Sequence, residues 1–264
     1  MAEITPLDEA HAKMTAAPQD DGARLRFYER LADAELFLLL EAEATDAEQI
    51  SPEVFDLGEA RYVLVFDRVE RLSAFAGGAA HYVSLSGRVI AAMVQGHDLG
   101  LGVNLDVAPS SILLPPKAVS WLHDTLGNAP VEVEARIVEV RPPSGLPEIL
   151  LSAIDTKLAT AMGLAQAAYL VGVTYDNGAV GHLLGFVGAV PEAQGALAAA
   201  AAEALTFSGV EAGEMDVGFF RSSEAVAERM ERVGLRFDLP QPEDVRHPLR
   251  AAPGSDPAKP PRLR

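Results

Sequence analysis

The 264-residue chain contains no cysteine. That excludes disulfides, thiolate catalysis and Cys-ligated zinc together, and it fits a reducing compartment. Aromatic residues make up only 6% of the chain, so Ala, Leu and Val must fill most of the core. No uninterrupted apolar run approaches the roughly 18–20 residues of a membrane span. The start, Met1-Ala-Glu-Ile-Thr-Pro-Leu-Asp-Glu9, lacks the basic opening and apolar run of a signal peptide. A cytoplasmic protein without membrane association is the expectation.

Bases are also scarce. The chain holds 21 Lys and Arg against 38 Asp and Glu, a net charge of −17. The imbalance is concentrated in residues 1–60, with 15 acids and 4 bases. Such a surface repels phosphate backbones, which argues against general nucleic-acid binding. Its ordinary use is solubility; its sharper use is selection of a basic partner.

Catalytic signatures are missing as well. There is no Gly-x-Ser-x-Gly nucleophile motif. The six histidines form no i, i+4 pair and no His-Glu-x-x-His helix, so a zinc hydrolase has no support. Gly96-His-Asp-Leu-Gly100-Leu-Gly102-Val-Asn104 invites a phosphate-loop reading. A phosphate loop needs a strand before the glycines and a helix after them. Here a helix precedes, and Leu101, Val103 and Leu105 alternate through the glycines as a strand would. The economical reading is a strand where close packing excludes larger side chains. No cofactor is implied.

What is present is regular. The stretch Arg61–Asn104 reads as strand, helix, strand, helix, strand, which implies a sheet with helices packed on it. Before it, Thr5-Pro6 predicts a helix start, with Thr5 as cap. A second helix opens at Asp20-Asp21, with Leu25, Tyr28 and Leu31 toward the core, and Glu35–Leu40 follows as a buried strand. After it come a strand at Ser110–Leu114, a helix from Pro115-Pro116, and an alternating strand at 130–140 with an irregularity at Ile137-Val138 that suggests a bulge.

Arg141-Pro-Pro-Ser-Gly-Leu-Pro147 reads as a domain boundary, because its three prolines continue neither a helix nor a central strand. Beyond it, Leu151, Ile154, Leu158 and Ala161 mark a helix face. Ala167–Thr174 and Val180–Val190 form a hairpin about Asn177-Gly178. An Ala-rich helix at 191–207, a strand at 214–220, a helix at 222–233 capped by Ser222 or Ser223, and a last strand at 235–238 complete the pattern. Seven of the 18 prolines follow residue 239, so residues 239–264 read as a disordered tail. The expected fold class is α+β: two mixed α/β-sandwich-like domains, each a sheet packed with helices, at 1–140 and 148–238, with 141–147 as linker.

These residues resemble the SseB-type (enhanced serine sensitivity) protein family. The N-terminal match is carried by Phe27-Tyr-Glu-Arg-Leu31 leading into Glu35-Leu-Phe-Leu-Leu39, by Tyr62-Val-Leu-Val-Phe66, by Leu85-Ser-Gly87, and by Leu99-Gly-Leu-Gly-Val-Asn104. The C-terminal half is similar to that family's second domain through Ala167-Ala-Tyr-Leu-Val-Gly172, Leu183-Leu-Gly-Phe186 and Glu214-Met-Asp-Val-Gly-Phe219. The resemblance implies a link to serine sensitivity and supplies no reaction, cofactor or catalytic residue.

Six residues stand out as ligand or interface candidates. His97 and Asp98 meet Asp106 if the chain turns back there. Asn104 closes the glycine-rich segment, and Glu211 lies with Ser208 in the turn Thr206–Gly213. Consecutive Phe219 and Phe220 must point to opposite faces of a strand, so one ring reaches an interface unless helices cover both faces. The leading expectation is a non-catalytic binding or regulatory protein for a protein partner or small ligand. The rival is an enzyme of amino-acid or sulfur metabolism with a domain-junction site built from His97, Asp98, Asn104 and Glu211.

Overall fold

In the computed structural model, residues 3–43, 50–58, 60–127, 136–209 and 215–241 are described. Thr5 opens helix α1 (Pro6–Ala16) with a full capping box: Asp8 N–H donates to the Thr5 hydroxyl, and the Asp8 carboxylate accepts from Thr5 N–H. Helix α2 (Asp21–Asp33) is capped by Asp20 and buries Phe27 and Leu31 completely, with Leu25 and Tyr28 flanking them. Strand β1 (Glu35–Leu40) follows at once, then the short β2 (Val54–Asp56).

The stretch that looked most regular folds as read. It gives β3 (Arg61–Phe66), α3 (Val69–Ala76), β4 (His81–Ser86), α4 (Gly87–Val94) and β5 (Leu99–Val103). Strand β6 (Ile112–Leu114) and helix α5 (Pro116–Leu126) complete the first domain. Its six-stranded sheet runs β4-β1-β3-β5-β6, with β2 added against β3; β3 and β5 are parallel and the other pairs antiparallel.

The continuous apolar strands are explained by cover on both faces. Leu36, Leu38, Val63, Val65, Leu101 and Val103 face α1, α2, α4 and α5. Leu39, Tyr62, Leu64 and Phe66 face the opposite way, against Leu72 of α3. The glycines of β5 are there for space. A Cβ on Gly100 would lie 2.5 Å from the Leu114 carbonyl and the Tyr62 ring, and one on Gly102 2.5 Å from Leu64.

The second sheet is built from β7 (Ile137–Arg141), β8 (Ala167–Tyr175), β9 (Val180–Val187), β10 (Met215–Phe220) and β11 (Leu235–Phe237). Its order is β10-β9-β8-β11, with β7 also on β8. The register of β7 shifts between Ile137 and Glu139, where the alternation broke. Helices α6 (Glu148–Leu158) and α7 (Gln194–Phe207) cover one face, and α8 (Ala225–Val233) covers the other. A short 3-10 turn at Pro191–Ala193 leads into α7. The molecule is α+β, with two sheet-based domains.

Two expectations are corrected. Strand β7 precedes the proline-rich segment yet pairs with β8, so the change of sheet falls between α5 and β7 and not at the prolines. Ser222 and Ser223 lie in a turn before α8; Glu224 is its cap residue, and its carboxylate accepts from Arg221 N–H. Residues 130–135 of the strand expected at 130–140, and residues 242–264 of the expected tail, lie outside the described residues.

Candidate functional site: the cleft between the two domains

The domains meet through one apolar plug and one ionic cluster. Phe207, the last residue of α7, is fully buried in the core of the first domain. Beside it, α2 and α4 meet α6 and α7 through charge. Lys157 Nζ donates to Asp33 at 2.6 Å and to Glu203 at 3.0 Å, and lies 3.6 Å from Glu29 Oε1. Arg88 bonds both Glu203 oxygens, at 3.1 and 3.2 Å, and Asp33 at 2.5 Å. Three carboxylates thus share two cations, and every ion pair joins residues from different elements.

Their proton affinities follow from that geometry. Burial alone would lower the Lys157 pKa, but hydrogen bonds and charge from Asp33 and Glu203 outweigh it and raise it. Burial would raise Asp33, and Lys157 with Arg88 reverses that and lowers it. Glu29 goes the other way. Its burial dominates, the long contact with Lys157 compensates only in part, and its pKa is raised. Glu29 Oε1 is sealed from solvent and makes no hydrogen bond.

Next to this cluster the surface opens into a cleft of about 570 Å³. Helix periodicity assigns its walls. Arg26 and Arg30 lie one turn apart on α2, with Glu29 between them and Glu9 and Lys13 on α1 alongside. Across the gap α6 presents Glu148, Ser152 and Thr156 at successive turns. Phe207 and Ser208 form the far end. A compound held here touches both domains at once.

The residues singled out from the sequence do not converge. His97 and Asp98 are exposed in the α4–β5 turn, with Asp98 at φ 55°. Asn104 lies at the opposite end of β5, about 20 Å away at the usual rise per residue. It is fully buried, accepts from Asp67 N–H and donates to Ser110. Asp98 borders a second depression of about 520 Å³ with Trp121, Lys117 and Asp124. Glu211 lies outside the described residues. Ser208, its companion in that turn, reaches the cleft; its hydroxyl donates to the Leu205 carbonyl at the C-terminal end of α7, and Gly209 takes the left-handed conformation just beyond. Phe219 stacks on Phe186 at 5.6 Å under α6 and α7, and Phe220 joins the opposite cluster under α8. Helices cover both faces of the sheet there.

Sequence reasoning missed the cleft for a physical reason. Its charged residues sit singly on amphipathic helices, where each resembles an ordinary solvated position. Only the α2 stripe Arg26 and Arg30, in the most acidic part of the chain, offered a local signal.

A family model describes the half that supplies α1 and α2. Residues 7–121 match the SseB protein N-terminal domain. Across those residues the chain is similar to that domain. No curated protein and no solved structure matches the chain. The matched range runs from α1 into α5 and includes the Arg26–Arg30 wall of the cleft, while α6 and α7, which pack on the second sheet, contribute the other wall. No helix among the described residues is long and apolar enough to cross a membrane, and no group of three His, Asp or Glu among them could hold a metal ion.

Proposed function

We propose that the chain is a non-catalytic, cytoplasmic binding or regulatory protein of the SseB type, and that it recognises a small ligand in the cleft between its two domains. The observation that supports this reading is the cleft itself: about 570 Å³, lined by helices of both domains and next to the ion cluster that joins them. Junctions between domains are common ligand sites, and pockets of a few hundred Å³ suit small molecules. Binding there would favour one relative placement of the domains, which is how a protein without a reaction of its own can report a ligand.

A thermal-shift screen of small metabolites tests the proposal, because a compound that binds only the native state raises its stability by about 2.7 kcal/mol at a hundredfold excess over Kd. The expected result is a shift for at least one compound in the wild-type protein and none in Ser152→Trp, whose indole would fill the cleft. Shifts that survive Ser152→Trp, or no shift for any compound, would overturn it.

A further inference from the structure

Both walls of the cleft carry charge, of both signs on one side and of a single sign on the other. Lys13, Arg26 and Arg30 stand with Glu9 and Glu29 on α1 and α2, while the wall across from them carries a single charge, Glu148, with the Ser152 and Thr156 hydroxyls below it. In a chain with 38 acids and 21 bases, most cations have acids to pair with. Among the described residues, Lys13 and Arg30 make no ion pair, and Arg26 reaches only Asp20 at 3.8 Å. Glu148 is likewise without an ion pair among the described residues. At the base of the cleft stands Glu29, 8% exposed, with one oxygen that makes no hydrogen bond.

Each kind of ligand meets this lining differently. An anion finds the three bases but also faces Glu9, Glu29 and Glu148. A cation finds those carboxylates but faces the bases. A neutral molecule displaces water from both sets and replaces neither set of hydrogen bonds. A compact molecule carrying both charges satisfies both walls.

We propose that the cleft takes a small zwitterion, its carboxylate on Arg26, Arg30 and Lys13 and its ammonium on Glu148 across from them. The proposal rests on the reading of the cleft as a ligand site and adds the chemistry of the ligand. The guanidiniums suit a carboxylate because their paired N–H groups match its two oxygens. A cleft of this volume admits a free amino acid or a dipeptide.

Calorimetric titration with the free amino acids and simple dipeptides tests it, each compared with its N-acetyl form, which lacks the ammonium, and its C-terminal amide, which lacks the carboxylate. At least one zwitterion is expected to bind, with both blocked forms about tenfold weaker or worse. Arg30→Gln is expected to weaken the free compound about tenfold while leaving the amide unchanged. Glu148→Gln is expected to weaken the free compound while leaving the N-acetyl form unchanged. Both positions are exposed, and circular dichroism checks that the variants fold. Equal affinity for free and blocked forms, or indifference to both substitutions, overturns the zwitterion. If instead an uncharged or singly charged compound binds and Ser152→Trp abolishes it, the zwitterion falls while the cleft stands as a ligand site. If nothing binds, both fall.

Discussion

The Arg71 guanidinium grips both oxygens of the Asp8 carboxylate, Nη2 to Oδ2 at 2.5 Å and Nη1 to Oδ1 at 3.1 Å. This buried pair ties the first turn of α1 to α3, across 63 positions of sequence. Around it, Ser110 donates to Asp8, Thr5 donates to Asp67, and Arg71 also reaches Asp67 at 2.8 Å. Asn104 completes the set through Ser110 and Asp67 N–H. Asn104, a ligand candidate from sequence, holds φ at 49° and spends its amide inside this network.

Arg71→Met should therefore be among the most damaging single changes in the first domain. It leaves Asp8 and Asp67 buried near one another without a cation, a situation that costs about 3–5 kcal/mol. Arg24→Met removes only an exposed pair with Asp21 and should stay within about 0.5 kcal/mol. Urea unfolding of the two variants, followed by circular dichroism, measures the difference; equal midpoints would count against a structural role for the network.

Acid should attack the same network. Burial would raise the Asp8 carboxyl, but hydrogen bonds from Arg71, Ser110 and Thr5 outweigh it and hold it well below the usual range. A carboxyl lowered by folding contributes stability above its unfolded pKa and loses it as pH falls through the folded one. Asp8 and Asp33 both act in this direction, so the melting temperature is expected to decline as pH drops below the unfolded value of 3.8. Asp8→Asn should flatten that decline while lowering the melting temperature at pH 7.

Glu29 has the opposite sign. Its raised pKa means that folding favours the protonated acid, so its contribution is present at low pH and is lost as pH rises through the folded value. Glu29→Gln keeps the shape and removes the buried charge. It is expected to raise the melting temperature at pH 8 and to give no gain at pH 4. A gain that is the same at both values would show that charge is not the cause.

At the domain junction, Lys157→Met leaves Glu29 without a cation and Asp33 and Glu203 with Arg88 alone, and about 3 kcal/mol should be lost. The pair Lys157→Met and Glu203→Met should be less than additive, with a coupling of about 0.5–3 kcal/mol. Strict additivity in a double-mutant cycle would mean that the two residues act independently.

Gly87 offers a steric test. It opens α4, and a Cβ there would run into the Leu31 carbonyl of α2. Gly87→Ala is expected to cost at least 1–3 kcal/mol, about the penalty of overpacking. Gly78, with open space around its Cβ position, should tolerate Ala within about 0.5 kcal/mol. Thermal melts of both variants decide it.

Local chemistry was easy to read and long-range chemistry was not. Thr5-Pro6 announced α1, Asn177-Gly178 announced the turn between β8 and β9, and the broken alternation at Ile137-Val138 announced the bulge. Each is set by residues within a few positions of one another. The short β2 was invisible because its two apolar residues, Val54 and Phe55, stand between Glu53 and Asp56 and make neither an apolar run nor an alternation. The bond from Lys157 to Asp33 spans 124 positions, and nothing near either residue hints at the other. His97, Asp98 and Asn104 looked like a group because they are close in sequence, and an extended strand pulls them apart.

The pairing of β7 with β8 bears on where the gene can be cut. A fragment begun at the prolines would lose the strand that covers Gly172 to Tyr175 of β8. Those residues would then offer bare N–H and C=O groups to any neighbouring chain, the setting in which strands add edge to edge. A fragment begun before Ile137 keeps that edge closed, although either fragment bares Phe207 and half of the ion cluster at the junction.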